Sequence, residues 1–170
     1  METISLARRG FLRGQLKTAI PILRPPWALA EADFQSRCSR CDRCVSACPT
    51  QILFAADGGY PSIDFRRGEC TFCGDCVRAC ADGALSLAQA QAPWHLQIAI
   101  DASCLAVQRI VCRSCADVCE ALAIRFFAQA GGIALPELDT KACTGCGACI
   151  NACPTQAIAV DPAAAGSNAT

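Results

Sequence analysis

Residues 143–153 read Cys143-Thr144-Gly145-Cys146-Gly147-Ala148-Cys149-Ile150-Asn151-Ala152-Cys153, with Pro154 next. Three thiols at three-residue steps do not suit disulfides, because neighbouring CxxC positions would close strained rings and leave an odd sulfur in each loop. Nor do they suit structural zinc, which takes two CxxC or CxxC/HxxxH pairs per tetrahedral ion and leaves a third cysteine of the run without a place. Wrapping a cube is what the spacing fits. Three thiolates bind three irons of a [4Fe-4S] group while backbone N–H groups point at its sulfides, and Gly145 and Gly147 let the backbone come close.

The same run occurs upstream as Cys38, Cys41, Cys44, Cys48 and as Cys70, Cys73, Cys76, Cys80. A further set, Cys104, Cys112, Cys115, Cys119, differs in having seven residues, Leu105 to Val111, between its first two members. With Cys143, Cys146, Cys149 and Cys153 these quartets account for all 16 cysteines of the chain. The first three depart from the fourth in detail: Asp42 replaces a small residue, and Ala81 and Glu120 stand where Pro154 stands. Solenoids share a period of roughly 32 to 39 residues, but their repeats are written in apolar residues, whereas a ligand set repeats here. The fourth cysteine of each run lies in the helical turn after the loop and points away from its own cube. In bacterial-type ferredoxins it binds the neighbouring cluster, so a pair of quartets forms one unit. The expected sets are Cys38, Cys41, Cys44 with Cys80; Cys70, Cys73, Cys76 with Cys48; Cys104, Cys112, Cys115 with Cys153; and Cys143, Cys146, Cys149 with Cys119. The widened loop makes the Cys104 set the least regular of these.

Short strands are expected on either side of the loops, at 52–54, 62–65, 85–87, 96–100, 124–127, 133–135 and 158–160. The fold class that follows is α+β, with two bacterial-type 2[4Fe-4S] ferredoxin-like units in tandem, at 35–90 and 91–162. Each unit is expected as two antiparallel hairpins on two helical turns, with Ala88 to Trp94 as linker. Residues 1–34 read as a basic arm and 163–170 as a disordered tail. Units of this size bury little apolar surface, so metal binding is expected to supply much of their folding free energy.

Composition excludes several functions. The 170 residues are 53% hydrophobic, too apolar for an extended disordered chain. Fifteen Lys+Arg balance fifteen Asp+Glu, which gives no general electrostatic case for nucleic acid. Charge, Gln, Pro or Gly interrupts every apolar stretch, so no membrane span and a soluble protein are expected. Four oxidised clusters on sixteen thiolates would carry the charge to about −8. The arm runs the other way, with Arg8, Arg9, Arg13, Lys17 and Arg24 against Glu2 before residue 31. Ala7-Arg8-Arg9-Gly10-Phe11-Leu12-Arg13 looks like a twin-arginine export motif. Lys17, Pro21 and Arg24 nevertheless interrupt the apolar stretch of a signal, and Arg24-Pro25-Pro26-Trp27 offers no small-residue cleavage site, so a cytoplasmic location is expected. His95, the one histidine, is read as structural or exposed. Arg37, Arg40, Arg43, Arg78 and Arg113, in or beside the loops, are read first as a solvated face. With no phosphate loop, dinucleotide fingerprint, Ser/His/Asp set or spare cysteine, an enzyme is not expected.

The chain resembles the NapF family of ferredoxin-type accessory proteins of periplasmic nitrate reductase systems. The likeness lies in Arg8-Arg9-Gly10 followed by Arg24-Pro25-Pro26-Trp27, in Gly58-Gly59-Tyr60-Pro61-Ser62, in the widened third quartet and in the run Cys143 to Cys149. It implies a cytoplasmic iron–sulfur protein that meets the precursor of the nitrate reductase catalytic subunit before export and assists its maturation, by cluster insertion or reduction. The residues themselves also allow a soluble electron carrier for a respiratory oxidoreductase, and a redox sensor as a third class.

Overall fold

The computed structural model describes residues 23–87, 93–94 and 96–161. The chain is laid out in four short loop–helix–strand passages. Helix α1 (Glu31–Arg37) precedes the first quartet. Four single turns of helix follow, one per quartet: α2 (Arg43–Ser46), α3 (Asp75–Arg78), α4 (Ser114–Asp117) and α5 (Ala148–Ala152). Each carries the third cysteine of its run, and the fourth cysteine follows within a residue or two. In the first unit α2 lies on α3, and in the second α4 lies on α5.

Six strands form three antiparallel pairs. β1 (Leu53–Ala55) pairs with β2 (Pro61–Ile63) in the register Leu53–Ile63, and a 3₁₀ turn at Asp57–Gly59 joins them. Gly58 and Gly59 both sit at a φ of 78°, which only glycine adopts without strain. β4 (Ile124–Ala128) pairs with β5 (Ala134–Leu138), Ile124 opposite Leu138, around a turn closed by the Gln129 amide on the Ile133 carbonyl at 2.7 Å.

The third pair is not a hairpin. β3 (Ile98–Ile100) and β6 (Ile158–Val160) bring together the two ends of the second unit, with Ile98 opposite Val160. In the first unit the same relationship shrinks to a single bridge between Ala28 and Leu85. The expectation of two hairpins per unit is therefore corrected to one hairpin plus one closure of the ends. A hairpin needs its strands joined by a tight turn, whereas here two whole quartets lie between the closing segments.

Alternation along these strands selects the core. Ile158 and Val160 are buried and Ala159 is exposed, the period-two pattern of a half-covered strand. The first core gathers Phe34, Ile52, Leu53, Ile63, Phe65 and Leu85. The second is smaller, with Ile98, Ile124 and Ile158 beside Cys115 and Cys149. Val160 belongs to the first core, and Trp94, Leu96 and Ile150 pack against it, so the two units share an apolar seam. The part of the arm within the described residues also lies on the first unit. Leu23 is buried, its carbonyl receives the Ser62 hydroxyl at 3.0 Å, and Arg24 forms a two-point ion pair with Glu31 while stacking over Phe34 at 4.9 Å. The twin-arginine-like stretch, His95 and residues 163–170 lie outside the described residues, as does most of the linker. Among the described residues, no helix is long and apolar enough to cross a membrane.

Candidate metal centres

Each cysteine loop turns by left-handed backbone at fixed places. Between the first and second cysteines, Arg40, Phe72 and Gly145 take φ values of 59°, 53° and 72°. Directly after the second cysteine, Asp42, Gly74 and Gly147 take 56°, 77° and 85°. Three residues past the fourth cysteine, Gln51, Gly83, Leu122 and Gln156 are again left-handed. Such residues alternate with right-handed ones to curl successive N–H groups into a concave nest. Five of the ten positions hold a side chain larger than glycine or aspartate, at a cost of about 1–2 kcal/mol each. The third loop departs from the pattern: Arg113 has φ −139°, and the left-handed residue is Arg109, inside the widened segment.

The curl brings the cysteines into four cavities. One is walled by Cys38, Cys41, Cys44 and Cys80. A second is walled by Cys48, Cys70, Cys73 and Cys76. A third has Cys104, Cys112, Cys115 and Cys153, and a fourth Cys119, Cys143, Cys146 and Cys149. Every cavity thus takes three sulfurs from one quartet and one from its neighbour. The space within them, counted together with the part open to solvent, is about 310 to 350 Å³. Among the described residues no three Cys, His, Asp or Glu side chains converge tightly enough for a single metal ion. A tetrahedral zinc site would need sulfurs about 3.8 Å apart, from a Zn–S bond of ~2.3 Å. Four soft thiolates around a space larger than one ion are the donor set for a [4Fe-4S] cube, and the residues fit that group.

Electrostatics differ among the cysteines. Burial pushes the Cys44, Cys70 and Cys115 thiols up to about 11, and Cys76 and Cys149 to about 12. Neighbouring cysteines add to the rise, Cys80 at Cys44 and Cys119 at Cys149 among them, which reflects the crossed arrangement. Exposed Cys41 moves the other way, down to about 7, because Arg43 donates to its sulfur. Sulfurs also accept from the backbone: the Phe72 amide on Cys70 at 3.4 Å, Ala123 on Cys119 at 3.3 Å and Ala157 on Cys153 at 3.2 Å.

The loop arginines are more specific than a solvated face. Arg43 Nε reaches Cys41 Sγ at 3.2 Å, and its guanidinium lies 3.7 Å from Asp82. Arg40 stacks on Tyr60 and Arg113 on Phe126, while Arg78 pairs with Asp75. Around the third quartet, Val107, Ile110, Val111 and Leu122 are exposed, Val111 to 91%. The residues that sequence reading missed are aromatic. Trp94, assigned to a linker, meets Phe65 edge-on at 5.8 Å and Phe72 at 5.6 Å. The available signal was a tryptophan in a segment that otherwise needs none.

Two models of the 4Fe-4S dicluster domain match the chain, over residues 28–85 and 108–163. With the fold and cavities above, they define the class: a ferredoxin-type iron–sulfur protein built as two tandem dicluster domains. The ferredoxin-type protein NapF of Escherichia coli K12 is 43% identical over 93% of this chain and 96% of its own length. NapF of Haemophilus influenzae is 44% identical over 95% and 97%. The methylamine utilization ferredoxin-type protein MauM of Methylobacillus flagellatus is 36% identical over 88% and 71%. The chain belongs to the NapF family of ferredoxin-type proteins. Proteins of this class carry electrons or act as accessory proteins and are not enzymes.

Proposed function

We propose that the sixteen cysteines hold four [4Fe-4S] clusters in the four crossed sets, and that the chain serves in the cytoplasm as an accessory protein for maturation of the periplasmic nitrate reductase catalytic subunit. The observation that carries the cluster assignment is the wall of each cavity, three sulfurs from one quartet and one from its neighbour. The link to nitrate reductase rests on membership of the NapF family. When bound, such a group supplies one-electron redox chemistry at a site where no proton need move. The chain's own residues bind it through thiolates, shape the loops through left-handed turns, and adjust ligand charge through contacts such as Arg43 on Cys41. The basic arm, residues 1–34, and the units at 35–90 and 91–162 divide the work: the arm docks the precursor before export, and the units hold the clusters.

Labelled iron tests this. Anaerobically loaded protein is mixed with the cluster-free precursor of the catalytic subunit, the two are separated, and label is counted in each. Label in the precursor marks a cluster donor, and label retained within a formed complex marks electron delivery. Absence of any complex overturns the maturation reading.

A second reading, a soluble electron carrier, is favoured by one observation. The two units are packed together rather than strung on a free linker, as suits clusters that exchange electrons within one body. Deleting residues 1–22, ahead of the packed segment that begins at Leu23, separates the two: a maturation factor loses its client, and a carrier keeps its midpoint potentials and most of its electron-transfer activity.

A further inference from the structure

The seam between the units runs through two of the cysteine loops. The Cys70 amide donates to the Cys146 carbonyl at 2.8 Å, which joins the second quartet to the fourth through backbone. Trp94 braces the join, donating from Nε1 to the Thr144 carbonyl at 3.0 Å while its ring meets Phe65 and Phe72. Gly147 lies under Phe65 so closely that a Cβ there would fall 2.0 Å from the ring. A Cβ on Gly145 would meet Trp94 Nε1 at 2.8 Å and Leu96 Cβ at 3.1 Å.

These two glycines are not required by loop curvature alone. The first quartet makes the same left-handed turns with Arg40 and Asp42, and the second with Phe72 and Gly74. Wrapping a cube therefore tolerates side chains at both places. What Gly145 and Gly147 admit is Trp94 from the linker and Phe65 from across the seam.

Resting on the reading that the four cavities hold clusters, we infer that the Cys70–Cys146 contact is the electronic junction between the units. The cluster order is then first, second, fourth, third rather than the order of the sequence, and Phe65, Trp94, Gly145 and Gly147 position the junction. The inner pair is the Cys48/Cys70/Cys73/Cys76 site and the Cys119/Cys143/Cys146/Cys149 site. The outer pair is the Cys38 and Cys104 sites, and the latter lies beside the exposed widened loop. Electronic coupling falls steeply with separation and is carried better by a hydrogen-bonded backbone than through space, so the 2.8 Å bridge is the favoured crossing. An electron that crosses it oxidises one reduced cluster by one electron and reduces one oxidised cluster by one. No proton or leaving group takes part.

Paired cysteine variants of the full chain test the order by electron paramagnetic resonance after dithionite reduction, with iron and sulfide assayed on every sample. Cys41→Ala with Cys112→Ala leaves the inner pair, and Cys73→Ala with Cys146→Ala leaves the outer pair. The expected result is a spin-coupled, fast-relaxing spectrum from the inner pair and isolated-cluster spectra from the outer pair. Coupling in the outer pair as strong as in the inner one, or none in the inner pair, overturns the inference. Should these variants not fold, Gly147→Ala and Gly74→Ala in the otherwise unaltered chain decide it. Both add a methyl at a left-handed site, but at Gly74 it meets only the mobile end of Arg78, at 3.2 Å. Gly147→Ala should slow spin relaxation with iron content kept and Gly74→Ala should not. Equal relaxation in the two overturns the inference. Failure of the cluster reading shows separately, as unaltered protein that binds less iron than four clusters require.

Discussion

Arg43 donates from its Nε to the sulfur of Cys41 at 3.2 Å, while Asp82 lies 3.7 Å from its guanidinium. A cation that donates to a thiolate ligand stabilises the more negative, reduced state of the site it faces. Arg43→Gln is therefore expected to lower the midpoint potential of one cluster by tens of millivolts and leave the others in place. Potentiometric titration followed by electron paramagnetic resonance reads this. Arg78→Gln, which removes a partner of Asp75 rather than of a sulfur, is the control.

Crossed walls make a prediction about which substitutions look alike. Cys80→Ser should give the spectrum of Cys41→Ser, because both line the Cys38 cavity, and Cys48→Ser should match Cys73→Ser. Were Cys80→Ser to match Cys73→Ser instead, each quartet would hold its own cluster. Mössbauer spectra of the four iron-57-loaded variants make the comparison.

The pH dependence has opposite signs with and without iron. Burial holds the Cys76 and Cys149 thiols near about 12 against an ordinary 9.0, so the folded iron-free chain keeps these protons more tightly than an unfolded one. Their contribution to apo stability is present below pH 9.0 and is lost as pH rises through about 12. In the proposed cluster assignment iron instead binds the thiolates, so loading releases protons and gains from rising pH. Iron transfer to a colorimetric chelator should accelerate between about pH 8 and about pH 6, the direction in which protons displace the metal.

Phe34 is fully buried, with Arg24 over its ring at 4.9 Å and Tyr60 at 6.1 Å. Phe34→Ala should cost about 3–5 kcal/mol. Thermal loss of the visible cluster absorbance should then come at a lower temperature, with a smaller drop for Phe34→Leu. An unchanged transition would mean that α1 does not support the first unit.

Much of the candidate site was legible because the cysteine runs repeat. The spacing of Cys38 to Cys48 and its three partners implied both the helical turns and the crossed sets that line the cavities. Strand positions followed from alternation, as at Ile158 and Val160, to within a few residues. The end-to-end pairing of β3 with β6 was not legible, since nothing local distinguishes a strand that closes a unit from one arm of a hairpin. Left-handed Arg40, Phe72 and Leu122 were hidden for a related reason: their side chains disfavour that backbone, and the surrounding loop imposes it. The seam was hidden because Trp94, Phe65 and Gly147 lie far apart in sequence and are brought together by the tertiary fold. Arg43 looked like any exposed arginine until Cys41 was seen beneath it.

The borrowed fourth wall of each cavity also has a meaning in time. During synthesis Cys38, Cys41 and Cys44 leave the ribosome roughly 36 residues ahead of Cys80, so the first-made ligand set stays open on one side until its neighbour emerges. The second cavity already has Cys48 waiting and closes with Cys76, before the first. The later half repeats the schedule: Cys119 waits for Cys149, and the set begun by Cys104 waits for Cys153. A nascent chain halted between residues 48 and 70 can seal neither early cavity. One that has exposed residue 80 can seal both, before the first cysteine of the later half has emerged.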